Sequence, residues 1–289
     1  MQKFLYRSYV ALGDSLTEGL GDDGFRKNRY NKGWADRLAG LLAAEAKDFG
    51  EPFEYANLAV RGSTAAEILT SQLEDALRLK PDLVTIMAGA NDIMASRKGH
   101  DAIRALFRGA IHRLYEAGVQ VLVVTTVNPG HFKVFSVMAR KSREMSNLIQ
   151  EVAAEYNAPV LDIYKLQEFS RMAFWSDDLV HFSIHGHQML ANIAAEKLAL
   201  AHRIPLHPAK LIQEPKWGFK QNIVWFVVHV LPFWGRKLRG ASSGDGLDPK
   251  QFDLELIEPT VETSLLFDES AVRATTQKAT AKKKSLQKL

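Results

Sequence analysis

Two short stretches of the chain carry residue types that together do acyl chemistry. Residues 9–24 read YVALGDSLTEGLGDDG, an apolar run that ends on Gly13-Asp14-Ser15 and passes into a glycine-rich, acidic turn. Residues 175–190 read WSDDLVHFSIHGHQML, with Asp178 and His181 separated by two residues. A serine at the end of a strand can cap a helix, border a phosphate loop or act as a nucleophile. The last role needs a base, an acid that orients the base, and donors for an oxyanion. One turn can place Asp178 and His181 on one loop, with the carboxylate accepting from Nδ1 and Nε2 free for a serine hydroxyl. Donors are on offer at two more places: Gly62 in AVRGST offers an open backbone N–H, and Asn91 in MAGANDIM offers a side-chain amide.

Those residues need strands and turns to bring them together. The runs at 8–14, 53–60, 81–90, 119–127 and 158–164 are apolar without alternation, the pattern of strands buried on both faces of a parallel sheet. Segments 34–46, 65–79, 101–118, 142–157 and 186–200 carry apolar residues at helical spacing. Strands alternating with helices imply βαβ units and an open α/β sandwich. In such a sheet ligands bind beyond the carboxyl ends of the strands, where Ser15, Gly62 and Asn91 all fall.

The four blocks in this order resemble the SGNH hydrolases, or GDSL lipase/esterase family. Ser15 stands in GDSL, Gly62 in AVRGST, Asn91 in GAND and His181 in DDLVHFS, and the likeness runs over about residues 8–200. The resemblance implies a flavodoxin-like three-layer α/β/α sandwich with a five-stranded parallel sheet. It implies a catalytic triad of Ser15, His181 and Asp178, an oxyanion hole of Ser15, Gly62 and Asn91, and ester hydrolysis without a metal or other cofactor. Asp178 is preferred to Asp177 on the family's spacing. One departure is that Asn57 stands five positions ahead of Gly62, where the family often has an asparagine two or three ahead. The segment after 206 is similar to extensions in some actinobacterial members.

Other residues carry simpler expectations. Asp14 is expected to bond within its turn, Asp92 to be a turn residue, and His185 and His187 to lie on the surface of a helix's first turn. With His181 they form no zinc motif such as HExxH. GASSG at 240–244 imitates a nucleophile elbow around Ser242, but loop-like sequence flanks it on both sides. The opening contains no Walker motif.

The composition, 46% hydrophobic with no cysteine, fits a globular protein and rules out disulfides and thiolate chemistry. The net charge of +4 resides in residues 271–289, which hold six Lys/Arg and no acid, so no nucleic-acid partner is expected. No apolar run of signal-peptide length opens the chain, and a cytoplasmic location is expected. The expected domains are a hydrolase domain at 1–205, an aromatic helical extension at 206–240 and a largely disordered basic tail at 241–289, in which 252–259 resembles a docking segment. The stretch 217–240 is expected to pack on the main domain or to touch a membrane surface. The expected partner is a small ester. Loops 25–34, basic, and 128–138, apolar, suit an acyl chain on a polar head. Transfer to an alcohol, carbohydrate deacetylation and a lapsed binding module are the alternative readings.

Overall fold

The computed structural model describes residues 6–22, 32–93, 97–128, 136–206, 214, 218, 244 and 246–259. The described part is built on a six-stranded sheet of order β5-β4-β3-β1-β2-β6, in which β1 is Ser8–Gly13, β2 Glu54–Asn57, β3 Leu83–Met87, β4 Gln120–Val124, β5 Val160–Leu161 and β6 Gln251–Leu256. The first five strands pair in parallel. Their order, 2-1-3-4-5, is that of flavodoxin-like sheets, and the direction of winding reverses between β1 and β3.

Both faces of these strands are covered, which explains their unbroken apolar runs. Tyr9 and Ala11 face one side, packed with helix α2 (Trp34–Asp48) and α7 (Ile184–Lys197). Val10 and Leu12 face the other, packed with α5 (Arg97–Glu116), α6 (Ser136–Glu155) and the helix after β2. That last helix starts as α3 (Ala65–Glu67), widens into a π-turn over Ile68–Gln72 and ends as α4 (Leu73–Leu79). The nucleophile candidate opens a single short turn, α1 (Ser15–Glu18).

The five parallel strands are those expected; a sixth, antiparallel strand at the edge is added to them, and it overlaps the 252–259 segment singled out within the tail. β6 pairs antiparallel with β2, Glu54 opposite Leu256 and Asn57 opposite Gln251. Its side chains are half-buried or exposed, so it lacks the apolar run that marks the inner strands; only Leu254 and the following Ile257 reach the two cores. The expectations for 217–240 and for Ser242 fall outside the described residues, Gly218 apart, as does most of the tail. Among the described residues no helix is long and apolar enough to cross a membrane, and no cluster of His, Asp or Glu could hold a metal ion.

Candidate active site

Ser15 is the first residue of α1, directly beyond β1. Asp14 caps this turn, its Oδ1 accepting from the Leu16 N–H at 3.1 Å, and Gly19 closes it with φ 99°. A Cβ on Gly13 would stand 2.2 Å from Thr17 Oγ1, so only glycine lets the chain turn this sharply from strand to helix. Buried Gln72, presented by the π-turn, holds Gly13 from outside: the Gly13 N–H donates to Oε1 at 2.9 Å and Nε2 donates to the Gly13 carbonyl at 3.0 Å. Asn57 donates from Nδ2 to the Thr17 carbonyl at 3.1 Å. Five positions ahead of Gly62, it thus braces the turn that Ser15 opens.

His181 comes from the loop before α7. Its Nε2 lies 2.8 Å from Ser15 Oγ and its Nδ1 2.5 Å from Asp178 Oδ2. The other carboxylate oxygen, Oδ1, accepts from the N–H groups of Val180 and His181, both at 2.9 Å, and from Ser176 Oγ at 2.7 Å. Leu179 adopts φ 57° to allow this tight turn, its side chain buried beneath it. Burial opposes the ionised form of Asp178, but the hydrogen bond and charge of His181, its N–H and the Ser176 hydroxyl outweigh burial and hold the carboxyl well below the usual range. Phe182 fixes the base of the loop by stacking on Phe169 with ring centroids 4.6 Å apart. Asp177 is exposed.

Asn91 follows β3 in a short 3₁₀ turn (Ala90–Asp92). Its Nδ2 donates to Asp14 Oδ2 at 3.1 Å and to the Ser63 carbonyl at 2.9 Å. These bonds join the turns after β1, β2 and β3, and so place the Asn91 amide beside the Ser15 turn and next to the Gly62 turn. Gly62 has φ 79°, a conformation that favours glycine. Asp14 is fully buried; burial pushes its carboxyl up to about 6, against the Leu16 N–H and the charge of His181. Asp92 is more than a turn residue, since its Oδ2 caps α3 by accepting from the Ala65 N–H at 2.8 Å.

Several supports have no sequence signature. The carboxylate of Glu18 accepts from the Arg61 N–H at 2.8 Å and from Nε at 3.0 Å, and pairs with the rest of the guanidinium, fixing the residue before Gly62. His187 corrects an expectation: it is completely buried. Its Nδ1 accepts from the Trp34 N–H at 3.1 Å and its Nε2 donates to the Leu20 carbonyl at 3.0 Å, joining the two flanks of the 23–31 segment. The buried Asp22–Arg37 ion pair closes the same neck. Segments 25–34 and 128–138, expected to line an acyl pocket, lie mainly outside the described residues.

This geometry can be set beside known proteins. Residues 11–189 match the GDSL-like lipase/acylhydrolase family, which is more than half of the chain. No curated protein sequence matches significantly. Among solved structures, the chain is similar to Axe2, an acetylxylan esterase from Geobacillus stearothermophilus, at 21% identity and a TM-score of 0.56, covering 69% of this chain and 97% of that one. It is similar to LAE5, an alpha/beta hydrolase from the Lake Arreo metagenome, at 19% identity and a TM-score of 0.55, covering 66% and 94%. The lipase Lip_vut3 from a goat rumen metagenome aligns at 20% identity and a TM-score of 0.52, covering 66% and 96%.

Proposed function

The chain belongs to the GDSL-like lipase/acylhydrolase family of ester hydrolases, and from that premise we propose that it cleaves carboxylic esters through an acyl-enzyme on Ser15. The observation that carries this reading is the unbroken relay from Ser15 Oγ to His181 Nε2, 2.8 Å, and from His181 Nδ1 to Asp178 Oδ2, 2.5 Å. His181 removes the hydroxyl proton as Ser15 attacks the ester carbonyl. Asp178 holds the imidazole in the tautomer with a proton on Nδ1 and balances the imidazolium as it forms. The tetrahedral oxyanion is held by the N–H groups of Ser15 and Gly62 and by the Asn91 amide. His181 then returns the proton to the leaving alcohol, and water releases the acid along the same path.

Both N–H bonds of Asn91 are engaged, by Asp14 and by Ser63. One of them is shared with the substrate, or released to it, as the oxyanion forms. The similar structures include an acetylxylan esterase and a lipase, so the acyl group can be short or long. Hydrolysis of p-nitrophenyl esters from acetate to dodecanoate, with wild type and Ser15→Ala side by side, tests the reading. Activity in wild type that disappears in the variant is the expected result, and its optimum over the series assigns the acyl length. Equal turnover by the two proteins would overturn it.

A further inference from the structure

The chain after the hydrolase domain returns to the site at two places. Glu214 accepts from Arg171 Nε at 2.6 Å and from the Ala173 N–H at 3.2 Å, in the segment that leads into the Asp178–His181 loop. The second contact is more intimate. Gly244 lies against the peptide of Arg61, where a Cβ would stand 2.0 Å from the Arg61 carbonyl oxygen and 3.0 Å from Val60 Cγ1. Lys250 then reaches inward with a side chain only 13% exposed. Its Nζ donates to the Glu18 carbonyl at 2.8 Å and to Asp36 Oδ2 at 2.7 Å. Directly after it, β6 clasps β2: Gln251 Nε2 donates to the Tyr55 carbonyl at 2.6 Å and the Ile257 N–H to the Phe53 carbonyl at 3.0 Å.

The Lys250 and Gly244 contacts converge on one residue. Glu18 ends the turn that starts with Ser15. Its carbonyl is held by Lys250, and its carboxylate holds both the N–H and the guanidinium of Arg61. Arg61 in turn precedes Gly62 and is backed by Gly244. The late segment therefore grips the nucleophile's turn from its far end and the Gly62 turn from behind. A clasp serving only the sheet edge would need the strand pairing alone. Placing a mostly buried ammonium on the last carbonyl of α1 acts on the distance between the Ser15 and Gly62 N–H groups, which an oxyanion tests to within about 0.5 Å.

Resting on the hydrolase reading, we propose that Lys250 is a positioning residue for the oxyanion hole. The test uses the full chain with p-nitrophenyl butyrate and with phenylboronic acid, which forms a tetrahedral adduct on a serine nucleophile. Lys250→Met is expected to lower kcat about tenfold with KM within about twofold, since a small displacement of oriented groups is costly. It should weaken phenylboronic acid inhibition by the same factor, and Lys250→Arg should recover most of both. Gln251→Ala, which breaks a strand contact but touches neither Glu18 nor Asp36, should lower Tm while leaving kcat and the inhibition at wild-type values. Unchanged kcat and inhibition in Lys250→Met, or an equal kcat loss in Gln251→Ala, would overturn the proposal. If Lys250→Met does not fold, Lys250→Gln, which removes the charge and shortens the reach while keeping a polar head, decides by the same readouts. The hydrolase reading is judged separately, by wild type against Ser15→Ala.

Discussion

Replacing His187 by glutamine probes how the neck of the site is built, and the size of the effect follows from where this histidine sits. The imidazole is completely buried; burial, with Arg37, His181 and Lys250 adding to it, pushes its pKa from the ordinary 6.5 down to about 3. The unfolded chain takes up a proton near the ordinary value, whereas the folded chain refuses it until near 3. Stability is therefore intact above pH 6.5 and is lost as pH falls through the window between the two values. Between pH 7.5 and 5 the loss amounts to about 2 kcal/mol, or ~4–8 °C in Tm for a domain of this size. Buried Asp14, raised to about 6, works the other way, because its folded form is stabilised by protonation over the same range. Glutamine at 187 can still donate to the Leu20 carbonyl but leaves the Trp34 N–H without its acceptor, a cost of about 1–3 kcal/mol at pH 7.5. Asp14 is common to both proteins, so the stability difference between them isolates His187. Urea denaturation at pH 7.5 and pH 5 should show the gap close by about 2 kcal/mol as the wild type alone pays its titration. A gap that stays constant with pH would refute the claim that His187 is held neutral.

Asp14→Asn should keep the Leu16 cap but turn an N–H₂ toward the Asn91 amide, donor against donor. A kcat loss of about 10–10²-fold with KM little changed is expected, below the 10²–10³ of deleting an oxyanion donor outright, and steady-state kinetics at pH 8 would show it. Asp178→Asn should lower kcat by about 10⁴ through the wrong His181 tautomer, measured by the same ester assay against a Ser15→Ala baseline. Gly21→Ala places a Cβ 2.3 Å from the Phe182 carbonyl and 3.0 Å from His181 Cβ, at φ +90°. It should cost about 1–3 kcal/mol in urea denaturation and reduce kcat, since relief of the clash displaces the base.

What could be read from the sequence, and what could not, follows from how each residue is bound. The inner strands are legible because burial on both faces demands apolar runs, as Val10 and Leu12 on one side and Tyr9 and Ala11 on the other show. That Ser15, His181 and Asp178 meet, with Asn91 beside the turns of Ser15 and Gly62, is legible because each stands in a short block with a restricted backbone around it, at the end of a strand or a tight turn. The edge strand β6 obeys neither rule: it lies almost two hundred residues from its partner β2, and its side chains are half in water.

The supports are hidden for a related reason. Gln72 bonds both main-chain groups of Gly13, Asn57 the Thr17 carbonyl, Lys250 the Glu18 carbonyl, and His187 one N–H and one carbonyl. A backbone group is the same at every position, so a partner that binds it leaves no complementary residue type to notice, and a polar residue in a helix's first turn, as His187 is, looks like any exposed one. On the proposed function, the chemistry of this chain is written in side chains that meet side chains, Ser15 with His181 and His181 with Asp178. Its precision is set by side chains that meet main chain, and these can be found only once the fold has shown which carbonyls and N–H groups stand beside Ser15.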